Sequence, residues 1–180
     1  MSVMAFEELL QTPEPADLGP ASRAGAQSQP VLNKAIENAL ATLTLTTEKK
    51  DLVRALILLW HDHLDAAHTI AQEIDNADGA FVHGIMHRRE PDYGNAKYWF
   101  RRVGSHPAFA EIARRVTASS SAQSDQPLLR ELMPNGAWDP FAFIDACEEA
   151  AKLAASGDRN RVLQEIQRLE TEALLDHFCG

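Results

Sequence analysis

Cysteine is scarce in this chain of 180 residues: Cys147 and Cys179 are its only two, far apart and without metal-ligand spacing. That disfavours a disulfide scaffold or a thiolate metal site and predicts two plain thiols in a reducing, cytoplasmic compartment. Basic charge is short as well. Seventeen Lys and Arg face 26 Asp and Glu, a formal charge of −9, so most of the surface repels phosphate backbones and anionic headgroups. Neither nucleic acid nor membrane is expected as a partner. The longest strongly apolar stretch, Val53–Trp60, contains Arg54 and falls far below the roughly 20 residues that cross a bilayer. The opening residues MSVMAFEELL carry no basic region ahead of an apolar one, so no secretory signal is expected. No segment alternates apolar and polar residues as a half-buried strand does, and no Gly-rich phosphate loop is present. These absences leave an all-α class with no sheet.

What is there is helical periodicity in a chain long enough for one sizeable core. Residues 1–30 read as an extended or partly disordered arm, rich in Pro13, Pro15, Pro20 and Pro30, with a short helix around Met4–Leu10. Residues 31–180 read as a single helical domain. Its first helix carries Leu32, Ile36, Leu40 and Leu43. A long second helix, about 51–74, presents Val53, Leu56, Ile57, Trp60, Leu64, Ala67, Ile70, Ala71 and Ile74 as one stripe. After a turn, Asp78 is placed to cap a third helix, Ala80–Arg89. Pro91 stops it, and Asp92 caps a fourth, Tyr93–Val103, which ends at Gly104. A fifth begins near Pro107. A Ser-rich loop at 118–126, a short helix at Leu128–Met133, a helix opened by Asp139-Pro140 and running to Ala155, and a last one from Asp158 to His177 complete the pattern.

One segment stands out: DGAFVHGIMHRREPDYGNAKYWFRRVGSHP, from Asp78 to Pro107. Its HxxxHRRExD and NAxYWxRRVGxHP elements resemble a motif in a family of uncharacterised bacterial and fungal helical proteins. The resemblance covers most of Leu59–Phe109 and, more weakly, Trp138–His177. It implies a helical fold and names no reaction. Residues 80–104 also resemble one tetratricopeptide-like hairpin, with Gly84 and Ala96 on the small positions where two helices touch and Phe100 on the following aromatic. His83 and His87 stand where that repeat carries packing residues. Stacked antiparallel hairpins are expected, not a regular array.

Chemistry concentrates in the same region. On the second helix His61, Asp65 and His68 are spaced i, i+4, i+7, and His83, His87 and Glu90 repeat that spacing on the third. Antiparallel packing would turn both sets toward one space, as facing bundle helices do when they offer imidazole and carboxylate to a divalent metal. The competing reading is a structural polar cluster. A zinc-protease reading fails, because Gly84 stands where H-E-x-x-H needs glutamate. A second candidate set is His83, His87, Arg88, Arg89, Tyr98, Trp99, Arg102 and His106, in which arginine pairs beside aromatic rings would bind a small anionic molecule or a protein segment. Its bland counterpart is arginine at helix C-termini, where cations suit the exposed carbonyls. Neither cysteine nor any serine is singled out as a nucleophile. Two functions therefore stay open: an anion- or peptide-binding helical module, and a metal-dependent enzyme. So does a homo-oligomer in which the arm wraps a second copy.

Overall fold

The computed structural model describes residues 4–153 and 157–180. Among them it is all-α, with eleven α-helices, one 3-10 turn and no strand. In chain order these are α1 (Met4–Leu10), α2 (Gln29–Leu40), α3 (Thr47–Trp60), α4 (Leu64–Ala71), α5 (Ala77–Arg89), α6 (Tyr93–Val103), α7 (Ala108–Ala118), α8 (Ser120–Gln123), α9 (Gln126–Leu132), α10 (Pro140–Lys152) and α11 (Asp158–Cys179). No described helix is long and apolar enough to cross a membrane.

The core is built round α3, whose residues Ala55 to Trp60 are all buried, with α11 packed across it and against α7. Helix α5 is the second central element. From Gly79 to Arg89 every residue is buried, although the stretch includes two histidines and two arginines. Its partner α6 is antiparallel: His87 meets Asn95, His83 meets Trp99, and Phe81 meets Phe100. Gly84 permits this approach, because a Cβ there would lie 2.8 Å from two ring carbons of Phe100.

Local capping places several boundaries. Asp92 accepts the Asn95 N–H and Asp139 the N–H groups of Phe141 and Ala142, as their positions predict. The third helix is capped differently: Asn76 accepts the Gly79 N–H, and Asp78 is free to point elsewhere. The Ser-rich stretch is not simply a loop, since Ser119 caps the short α8 and Ala122 is buried. The expected extension of α10 to Ala155 falls partly outside the described residues.

The largest departure is in the second helix, which is two. Helix α3 ends at Trp60, Asp62 adopts φ +66°, and α4 starts at Leu64. A left-handed Asp is uncommon and needs compensation. Here the Asp62 carboxylate accepts from Arg89 at 2.7 Å and from the Arg23 backbone N–H at 3.0 Å. The apolar stripe crosses the break because Leu64, Ala67 and Ala71 of α4 are buried as α3 is.

The N-terminal arm is packed, not loose. Phe6, Leu10, Ala16 and Leu18 are buried, and Gln167 donates to the Ala16 and Asp17 carbonyls. Residues 11–28 lack helix and carry Pro13, Pro15 and Pro20, while Pro30 falls in the first turn of α2.

Candidate functional site

A helix buried all round must find a partner for each polar side chain it carries. On α5, Arg88 donates to both carboxylate oxygens of Glu170, at 3.1 and 2.5 Å, and lies 4.3 Å from the Phe143 ring centroid. Arg89 bonds the Asp62 carboxylate, the Leu59 carbonyl and, at 3.1 Å, the Gly19 carbonyl. Both guanidinium groups thus close ion pairs in the core. They are neither the solvent-facing helix-end cations nor the ligand-facing pair that their sequence positions suggest. Of the remaining anion-site candidates, Tyr98 is exposed, and Arg102 lies over Trp99 at 5.2 Å while pairing with Asp75 at 2.6 Å.

The two histidines of α5 sit one turn apart with rings stacked, centroids 5.0 Å and planes 11° apart. Helix α4 brings His68 edge-on to both, at 4.7 Å from His83 and 5.5 Å from His87. One ligand nitrogen from each of the three rings lies within 4.8 Å of the others. His87 Nδ1 donates to Glu90 across 3.2 Å, and the Asn95 amide donates to His87 Nε2 across 3.1 Å. With its proton on Nδ1, His87 offers a metal only Nε2, whose lone pair the Asn95 amide occupies and would have to release. His83 is covered by Trp99, whose ring lies 3.9 Å away and nearly parallel. The His83 side chain forms no hydrogen bond among the described residues, and its Nδ1 is buried without a partner.

Burial favours the neutral form of His83 and His87. Burial, aided by His68 and His87, pushes His83 down to about 4. Burial also lowers His87, against the opposing pull of the Glu90 carboxylate. Neutral imidazole is the form that ligates metal.

Two expected ligands fall outside. His61 sits at the end of α3 and faces the arm, its Nδ1 accepting the Gln27 N–H at 3.0 Å and its Nε2 donating to the Leu9 carbonyl at 2.7 Å. The break before α4 removes the i, i+7 relation to His68. Asp65 is exposed on α4 and lines a cavity of about 370 Å³ with His63, Pro20 and Glu90.

His106, expected with the arginines, belongs to another cluster. Its Nε2 donates to Asp78 Oδ1 at 2.7 Å, and the same oxygen accepts from His177 Nε2 at 3.1 Å. The hydrogen bond from His106 is the chief cause holding the Asp78 carboxyl below its usual range. The Ala108 N–H donates to His106 Nδ1 at 3.2 Å. That fixes the proton on Nε2, the nitrogen that faces Asp78, so this cluster is a hydrogen-bonded joint between α5, the α6–α7 turn and α11. Neither Asp78 nor His177 is marked as a site residue by local sequence, since they stand 99 residues apart. Asn95 was equally hidden, reading as an ordinary first-turn residue of α6.

Compared with family models, with curated proteins and with solved structures, the chain shows no match.

Proposed function

We propose that this helical domain binds one divalent transition-metal ion through His68, His83 and His87. The observation that carries the reading is the convergence of three imidazoles, from α4 and α5, with ligand nitrogens within 4.8 Å of one another. Coordination requires the rings to rotate until these nitrogens lie roughly 2.0–2.1 Å from a common ion, as zinc–imidazole bonds demand. Two further features support it. The unbonded His83 Nδ1 is a buried polar atom left without a partner, and the Glu90–His87 bond has the form of the carboxylate–histidine pairs that orient metal ligands. An all-imidazole set favours zinc, copper, nickel or iron over magnesium and calcium.

The anion-binding reading is weaker on this geometry, because Arg88 and Arg89 have spent their charge on Glu170 and Asp62. Of the tetratricopeptide comparison, the Gly84–Phe100 contact supports a close hairpin of that kind.

The test is calorimetric titration of chelator-treated protein, purified without an affinity tag, with zinc, nickel and magnesium. One equivalent of zinc or nickel, no magnesium, and loss of binding in His68→Gln and His87→Gln are expected. Unchanged binding in both variants would assign the metal to other residues. No binding to the parent protein, with His87→Gln only less stable, would make the cluster structural.

A further inference from the structure

Among the described residues no fourth His, Cys, Asp or Glu joins the three imidazoles. Glu90 is engaged by His87, and Cys147, which burial pushes up to about 12, lies among Arg88 and Glu170. A tetrahedral ion held by three neutral nitrogens keeps its full double charge and one position for water. Access is one-sided. Trp99 closes the cluster over His83, whereas His68 is only half-buried. Glu90 and Asp92 both act on His87, and Arg88 and Arg89, on the same helix as His83 and His87, are closed in ion pairs.

Resting on the metal reading above, we infer that the zinc-loaded centre is hydrolytic toward small uncharged esters. The ion lowers the pKa of its bound water toward neutrality, and the released proton passes to solvent. The hydroxide oxygen supplies the electron pair for a new bond to the acyl carbon. The ester C–O bond then breaks, the leaving oxygen takes a proton from water, and one water is consumed for each acid and alcohol formed. Phosphate esters are poorer substrates, because Glu90 and Asp92 repel them and Arg88 and Arg89 are closed in ion pairs. Glu90 is a positioning residue: it keeps the His87 proton on Nδ1.

The experiment pairs binding with turnover on the full chain. Cobalt substitution first reports coordination through its visible absorption, independently of activity. Zinc-loaded protein is then assayed with p-nitrophenyl acetate and p-nitrophenyl phosphate, beside metal-free and magnesium-treated protein and His68→Gln, a half-buried position chosen to spare the fold. Acetate hydrolysis on the order of tenfold or more above metal-free protein, rising through a single inflection near pH 7 and absent from His68→Gln, is the expected result. One equivalent of bound metal with no gain in rate overturns the hydrolytic inference and leaves the metal site standing. Failure to bind cobalt or zinc overturns both. Faster turnover of the phosphate ester overturns the substrate class.

Discussion

Trp99 lies nearly flat on His83, ring centroids 3.9 Å and planes 16° apart. An indole in contact with a metal ligand is a built-in reporter. Paramagnetic nickel or copper bound at the three histidines is therefore expected to quench tryptophan fluorescence, and Trp99→Phe to abolish most of that quenching. Trp60 and Trp138 are buried elsewhere, Trp60 against Arg23 and Trp138 against Phe143. Quenching that survives Trp99→Phe would place the metal away from His83.

Acid should loosen the metal-free fold. His83, His87 and His61 all have pKa values lowered by burial, so below the ordinary value of 6.5 the unfolded chain binds more protons than the folded one. Stability then rises with pH in that window. The contribution is complete above pH 6.5 and is lost as pH falls toward about 4, the His83 value. His83→Leu is expected to reduce the stability lost between pH 6.5 and about 4 by about 1 kcal/mol once solvent screening is allowed for. Urea unfolding between pH 4 and 7 in the presence of chelator measures it, and identical slopes for the two proteins would refute the assignment.

The Arg88–Glu170 pair is fully buried. Arg88→Met alone strands the Glu170 carboxylate and should cost about 3–5 kcal/mol, whereas Arg88→Met with Glu170→Leu should recover most of it. Zinc affinity of the double variant should stay within a few-fold of the parent. A large loss of affinity in a stable double variant would return Arg88 to the binding site.

Gly84 is required by Phe100. Gly84→Ala places a methyl 2.8 Å from the Phe100 ring and should destabilise by about 1–3 kcal/mol, with partial recovery on adding Phe100→Leu. Thermal denaturation of the single and double variants gives the coupling, and strict additivity would show that the two residues do not touch.

Much of this was readable from residues close in sequence. Caps such as Asp92 and Asp139 act over two or three residues, so their positions alone reveal them. The His83–His87 spacing follows from helical pitch, and the tight turn after α4 made an antiparallel His68 a fair expectation. The break at Asp62 was not readable, because the side chain that holds it, Arg89, stands 27 residues away and the arm's Arg23 N–H 39 residues away. Periodicity reports which residues of a helix are buried and is blind to a corner whose flanking residues are buried on both sides of it.

Sequence by itself thus determined the helical class, most helix starts and the pairing of two imidazoles on one face, since each depends on bonds and pitch within a turn or two. Tertiary structure decided which charges went inward. Arg88 and Arg89 look like helix-end cations until α11 supplies Glu170 and the α3–α4 corner supplies Asp62. Burying a guanidinium is unfavourable unless a carboxylate meets it, and only the packed fold determines which carboxylate does.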